Sequence, residues 1–182
     1  MYALNREIYL RRHHIDELRW YVLYTRPNFE KMINKNLIEQ GLHTYLPLKK
    51  GLRYWNDREV WIETPLFSSY IFIKTSLKEK DKVFSTDGII KYVRFGSQLA
   101  FIKGDEIERI KQLCLYQGNV NIEFENNIAG RKVEICSGVL KGLKGVLSGF
   151  DNKRRVHIHI KGLNCFANVK IDLNSVFLKY IQ

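Results

Sequence analysis

Short runs of hydrophobic residues, broken by turn-forming residues, set the organisation of this chain, and their periods differ along it. Trp20-Tyr21-Val22-Leu23-Tyr24-Thr25 is aromatic and β-branched throughout and reads as a buried strand. Arg26-Pro27-Asn28 breaks it, and Pro27 suits the first turn of a helix, where its missing N–H would be unpaired anyway. Phe29, Met32, Ile33, Leu37 and Gln40 follow helical spacing, and Gly41 stands where a helix stops. Leu42 to Leu48 reads as a second strand, and Lys49 to Trp61 as a basic hairpin that interleaves Lys49, Lys50, Arg53 and Arg58 with Tyr54, Trp55 and Trp61.

The run Pro65-Leu66-Phe67-Ser68-Ser69-Tyr70-Ile71-Phe72-Ile73, continued by Lys74, predicts a strand that is apolar on both faces. Alternation puts Tyr70 and Phe72 on one side and Ile71 and Ile73 on the other. Such a strand is either sandwiched in a core or keeps one face for a partner. Leu77 to Thr86 predicts a short charged helix, and Ile89 to Phe95 with Leu99 to Ile102 a hairpin around Gly96-Ser97. Gly104-Asp105-Glu106 opens a helix with carboxylates at its positive end, and Ile107, Ile110, Leu113 and Cys114 form its apolar stripe. The order implies an α+β fold, an antiparallel sheet with helices packed on it.

The stretch from Gln117 to Asn127 is rich in Asn and Glu and lacks basic residues, which reads as a linker. Beyond it come only short strands: Lys132 to Cys136, Gly145 to Phe150, Arg155 to Ile160 and Cys165 to Ile171. That spacing predicts a small β-barrel. The expected divisions are a leader over 1–19, a first domain over 20–117, a linker over 118–127 and a second domain over 128–182. The leader holds the cluster Arg11-Arg12-His13-His14 and receives no function.

Charge changes the picture. Against 30 Lys and Arg stand 19 Asp and Glu, a net +11 spread over all regions of the 182 residues, which suits work beside polyanions such as nucleic acid. The three cysteines, Cys114, Cys136 and Cys165, lack CxxC spacing, so neither zinc nor a disulfide framework is expected, and Cys136 and Cys165 read as small core residues. No signal peptide or membrane-length apolar run is seen, so a cytoplasmic protein is expected.

Candidate chemistry is sparse. No HExxH or GxSxG occurs. His157 and His159 share a strand face without a third ligand, which favours surface histidines over a metal site. Lys141-Gly142-Leu143-Lys144-Gly145 lacks the phosphate-loop spacing and lies between strands. No enzyme, cofactor or metal is expected. The glycines at 138, 142 and 145 instead suit the tight crossings of a small barrel.

The segment from Arg131 to Leu147, with those glycines, resembles the KOW motif of transcription and translation factors. Trp20 to Thr25, the helix to Gly41, Tyr45-Leu46-Pro47, Pro65 to Phe72 and Tyr92-Val93-Arg94-Phe95-Gly96 are similar to the NusG N-terminal domain, in that family's order, with the KOW motif following in its place. The resemblance extends over nearly the whole chain from Trp20. Its Leu-Phe and Val-Arg-Phe-Gly wording is nearer to the specialised RfaH and UpxY paralogues, which are antiterminators. Two departures stand out. The family's Phe-Pro-Gly-Tyr here reads Phe67-Ser68-Ser69-Tyr70, and the RfaH His-Thr-Thr element that touches the second lip of the polymerase cleft here reads Glu79-Lys80-Asp81-Lys82.

The resemblance implies a monomeric elongation or antitermination factor with an NGN-like first domain and an SH3-like KOW barrel. It implies that Tyr70, Phe72 and Tyr92 bind the clamp helices of RNA polymerase; from the residues alone, core and pocket are evenly matched. It implies that Arg26 faces the non-template DNA strand, with Lys31 and Lys35 as further candidates that serve equally as a solvated helix face. The KOW domain would recruit a second partner, a ribosomal protein or Rho, as an added edge strand in the former case. The competing class is a KOW-containing ribosome-associated or translation protein that binds rRNA.

Overall fold

The structure is a computed structural model that describes residues 16–55, 58–124, 128–149, 154–171 and 176–181, with the backbone alone for 53–55. Most of the expected leader, including Arg11-Arg12-His13-His14, lies outside the described residues. The elements in chain order are β1 (Arg19–Thr25), α1 (Glu30–Glu39), β2 (His43–Tyr45), β3 (Leu48–Trp55), β4 (Arg58–Pro65) and β5 (Tyr70–Thr75). A 3-10 helix (Lys80–Ser85) leads to β6 (Ile89–Tyr92), β7 (Arg94–Phe95), β8 (Gln98–Leu99), β9 (Phe101–Ile102) and α2 (Gly104–Leu115). The remainder is β10 (Val120–Glu123), β11 (Arg131–Ile135), β12 (Lys144–Ser148), β13 (Arg155–Ile160), a 3-10 turn (Lys161–Leu163), β14 (Cys165–Lys170) and β15 (Leu178–Tyr180). The chain forms two compact units, Met1–Leu46 with Phe67–Lys103, and Pro47–Leu66 with Gly104–Gln182.

The first unit is built on an antiparallel sheet in the order β2-β5-β1-β6, with β9 also paired to β1. Its two central strands are apolar on both faces, and Val22, Leu23, Ile71, Phe72 and Ile73 are all fully buried. Helix α1 contributes Ile33 and Leu37 to the core, while Phe29 and Met32, expected on the same stripe, are exposed. The helix ends as its sequence predicts: Gly41 takes φ +78°, and Leu42 N–H reaches back to Leu37 O at 3.0 Å. Its start differs. Pro27 is not helical but occupies the second position of a turn from Arg26 to Phe29, with Asn28 at φ +65° in the third, as a type II turn requires.

The second unit carries the β3–β4 hairpin, α2 and a six-stranded antiparallel sheet in the order β10-β14-β13-β12-β11-β15. Two expectations are corrected here. The barrel does not close: β15 and β10 remain at opposite ends of the ladder among the described residues. Part of the expected linker is β10, paired with β14 from Val120↔Val169 to Glu123↔Phe166. Its Val120-Asn121-Ile122 alternation is a strand signal that the surrounding Asn and Glu conceal.

Helix α2, expected in the first domain, belongs to the second unit and is tied to it by hydrogen bonds. Buried Glu106 accepts from Gly162 N–H at 3.3 Å, Tyr116 Oη donates to Lys170 O at 2.9 Å, and Gln112 Nε2 donates to Lys141 O at 3.4 Å. The glycines between β11 and β12 act as the sequence suggests. Gly138 and Gly142 take φ +71° and +85°, and a Cβ on Gly145 would meet His157 O at 2.5 Å. No helix among the described residues is long and apolar enough to cross a membrane.

Candidate functional site

The segment expected to run as one strand from Pro65 to Lys74 divides in the structure. Pro65 closes β4, Phe67 to Tyr70 form a turn with Tyr70 N–H to Phe67 O at 3.3 Å, and β5 starts at Tyr70. Ser69 holds φ +66° at the third position of this turn, where glycine is the usual occupant. The conformation costs roughly 1–3 kcal/mol for a residue with a side chain, so its surroundings must hold it. They do. Ser69 N–H donates to the buried Glu30 carboxylate at 2.7 Å, and Ser69 O accepts from Thr25 N–H at 2.9 Å. The first residue of α1 thereby fixes the turn that launches β5, and the geometry lost with proline and glycine is retained by a carboxylate.

Register decides which aromatic rings share a surface. In an antiparallel pair, residues directly opposite lie on the same face. Tyr24 faces Tyr70, Val22 faces Phe72 and Tyr45 faces Phe72, so these rings form one face of the sheet. Leu23 faces both Ile71 and Tyr92, which puts Tyr92 on the opposite face. The expected trio therefore does not converge: Tyr70 and Phe72 stand together and Tyr92 stands apart.

Burial separates them further. Phe72 is 0% exposed, in contact with Phe67 (ring centroids 5.7 Å apart) and Tyr45 (6.2 Å). Its ring presents no surface to a partner. Tyr70 is half-buried and leans on Tyr24 at 5.7 Å, with the Lys91 ammonium 6.0 Å from the centre of the Tyr24 ring. Tyr92 is buried, packs edge-on to Tyr21 and Phe84, and donates its hydroxyl to Lys80 O at 2.7 Å. Burial first, and the nearby Asp81 carboxylate second, push its phenol well above the usual tyrosine range, so it remains a donor.

Arg26 is exposed just past β1, its N–H anchored to Gly88 O at 2.9 Å. Lys31 and Lys35 are exposed one turn apart on α1. Lys35 pairs loosely with Glu39 at 3.7 Å, whereas Lys31 has no carboxylate partner among the described residues. Arg26 and Tyr24 lie two positions apart, so the half-buried Tyr24–Tyr70 pair and the cation adjoin the same end of β1. Sequence reasoning missed Tyr24. Its signal was the alternation Trp20, Val22, Tyr24, which identifies a shared face only once the β1–β5 register is known.

The remaining candidate chemistry resolves into structure. His157, expected at the surface, is buried, with its ring between Ser148 Oγ and Asn168 Oδ1. His159 stacks on Phe166 at 4.7 Å. Cys165 is buried, which pushes its thiol up to about 12, whereas Cys136, also expected in the core, is exposed. Among the described residues no cluster of His, Cys, Asp and Glu could hold a metal ion.

Comparison with known families finds a match to the model described as NusG, transcription termination factor nusG, over residues 18–111. The chain belongs to the NusG family. This is a family of transcription elongation factors whose members are non-enzymatic. The matched region contains every candidate residue named above from Arg26 to Tyr92. Among solved structures, NusG of Thermotoga maritima, studied for its domain interaction, is similar in fold, with a TM-score of 0.54 at 21% identity, covering 88% of this chain and 96% of that one. The MjSpt4:Spt5 complex aligns over 90% of this chain and 99% of its own, at 15% identity and a TM-score of 0.31. No curated protein sequence matches.

Proposed function

We propose that this NusG-family chain is an antitermination factor of the RfaH/UpxY type that docks on RNA polymerase through the sheet face bearing Tyr70. The observation that carries this reading is the ring pair Tyr24–Tyr70, half-buried at the end of β1 where Arg26 is exposed. An aromatic anchor with a cation beside it suits a protein helix pressed against the rings while the exposed non-template strand passes the cation. Tyr70 is the anchor, and Phe72, packed against Phe67 and Tyr45, belongs to the core beside it. Arg26 meets the DNA, with Lys31 adding charge along α1. Tyr92 supports the fold from the other face.

The C-terminal sheet would recruit the second partner. Its outermost strands, β10 and β15, offer unpaired edges among the described residues, which suits strand addition by a ribosomal protein. Polymerase contacts are assigned to the first unit and partner recruitment to the six-stranded sheet of the second.

The test is affinity copurification of the full chain with RNA polymerase or with ribosomal subunits. Retention of polymerase, lost more than about tenfold in Tyr70→Ala while the fold loses only about 1 kcal/mol, is the expected result. Recovery of ribosomal subunits without polymerase would overturn the reading in favour of an rRNA-binding protein.

A further inference from the structure

The sheet face that bears Tyr70 also carries a charge whose partner the chain does not supply. In the antiparallel register Tyr24 stands opposite Tyr70 on one side and opposite Lys91 on the other. The three side chains therefore form one row across β5, β1 and β6, on the same face of the sheet. Lys91 is exposed, and its ammonium lies 6.0 Å from the centre of the Tyr24 ring. No carboxylate pairs with it among the described residues, whereas Lys35, Lys80 and Lys82 of the same unit each have one.

Geometry decides what can meet this charge. Paired strands lie about 4.8 Å apart, so the Lys91 backbone is roughly 7 Å from the midpoint between the two tyrosines. A helix with its side chains is about 10–12 Å across. Laid on the two rings, such a helix brings its flank within reach of the Lys91 side chain and takes water from one side of the ammonium. A charge stripped of water without an acceptor is costly, and a carboxylate on that flank removes the penalty. Arg26 is placed differently. It follows the end of β1 and stands outside the row, so a helix confined to the rings leaves it open to a second ligand.

We infer that Lys91 selects the docking partner: the polymerase helix that covers Tyr24 and Tyr70 must present a carboxylate to this ammonium. The requirement rests on the docking reading proposed above and adds the partner's charge to it. A helix with Lys or Arg on the facing flank is repelled. That gives discrimination which the two rings lack by themselves, because apolar contact accepts many helices.

The experiment measures the affinity of the full chain for core RNA polymerase free of nucleic acid, and for an elongation complex, at low and high salt. Lys91→Gln should weaken binding to core polymerase about fivefold and Lys91→Glu more than about tenfold, with Lys91→Arg close to the parent. The deficit of Lys91→Gln should shrink as salt rises, since a pair at the rim of an interface is screened. Melting curves should scarcely move, because Lys91 is exposed. Reversing the facing polymerase carboxylate to lysine should restore Lys91→Glu and weaken the parent. The proposal is overturned if Lys91→Gln and Lys91→Glu bind core polymerase like the parent while Tyr70→Ala still loses binding; the rings then dock without a charge requirement. It is equally overturned if the variants lose affinity only for the elongation complex, since nucleic-acid phosphate would then be the ligand. A parent chain that binds no polymerase removes the docking reading itself, and the role of Lys91 with it.

Discussion

The two faces of the β1–β5 sheet carry similar residues and put them to different use. On one, Tyr24 and Tyr70 are half-buried and lean on each other, with the fully buried Phe72 two residues along the same face. On the other, Tyr92 is buried, wedged against Tyr21 and Phe84, and spends its hydroxyl on a backbone carbonyl. An aromatic ring can serve a partner only where its neighbours leave it partly exposed, and is confined to the core where they do not. Residue type alone does not distinguish the two outcomes; register and the next layer of packing do.

Truncating neighbouring rings on the first face should separate exposed from core aromatics by the largest margin. Phe72→Ala removes a side chain that is 0% exposed and should cost about 3–5 kcal/mol in a denaturant melt. Tyr70→Ala, two residues away on the same face, should cost only about 1 kcal/mol, the scale of one aromatic pair. It should nevertheless be the more damaging of the two to polymerase binding per unit of stability lost. Equal destabilisation by both would show that Tyr70 is core.

These contrasts mark where sequence stopped being informative. The strands β1, β5, β6 and β11 to β14 were legible because their alternation and β-branched content are strong local signals, and the C-terminal stop of α1 was legible because Gly41 has one use there. The grouping of Tyr70, Phe72 and Tyr92 failed to predict a common face because it needed the pairing Leu23↔Tyr92, a contact between strands far apart in sequence. Closure of the C-terminal sheet was likewise a long-range property. Short strands and glycines imply tight crossings but do not specify which edges meet. His157 misled for a different reason: its partners, Ser148 and Asn168, sit on neighbouring strands, so nothing local marks it as buried.

The turn that presents Tyr70 gives a second, smaller test. Glu30→Ala should cost about 1–3 kcal/mol, because Ser69 N–H would remain buried without its acceptor. Ser69→Gly acts in the opposite direction. Relief at φ +66° is worth roughly 1–3 kcal/mol, and the extra freedom of glycine in the unfolded chain returns about 0.5–1 kcal/mol of it. A net gain of about 1 kcal/mol is expected, with polymerase binding unchanged. If Ser69→Gly weakens binding while stabilising the fold, the strained serine itself contributes to docking and the turn is more than a launch point for β5.

The smallest effect concerns the second face. Tyr92→Phe deletes the hydroxyl bonded to Lys80 O and should cost about 1 kcal/mol near neutral pH, with the ring packing against Tyr21 and Phe84 intact. Its pH dependence carries the argument further. Burial raises the phenol above its ordinary value of 10, so the folded chain retains that proton where the unfolded chain releases it. The unfolded state is therefore favoured progressively as pH rises above 10, and the parent protein should lose a stabilising contribution that the phenylalanine variant never had. Denaturant melts of the two proteins should converge between neutral pH and the alkaline limit of folding, and ultraviolet titration of the parent should show one tyrosine ionising late. A constant difference across that range would mean that the hydroxyl is solvated, and with it that the second face is as open as the first.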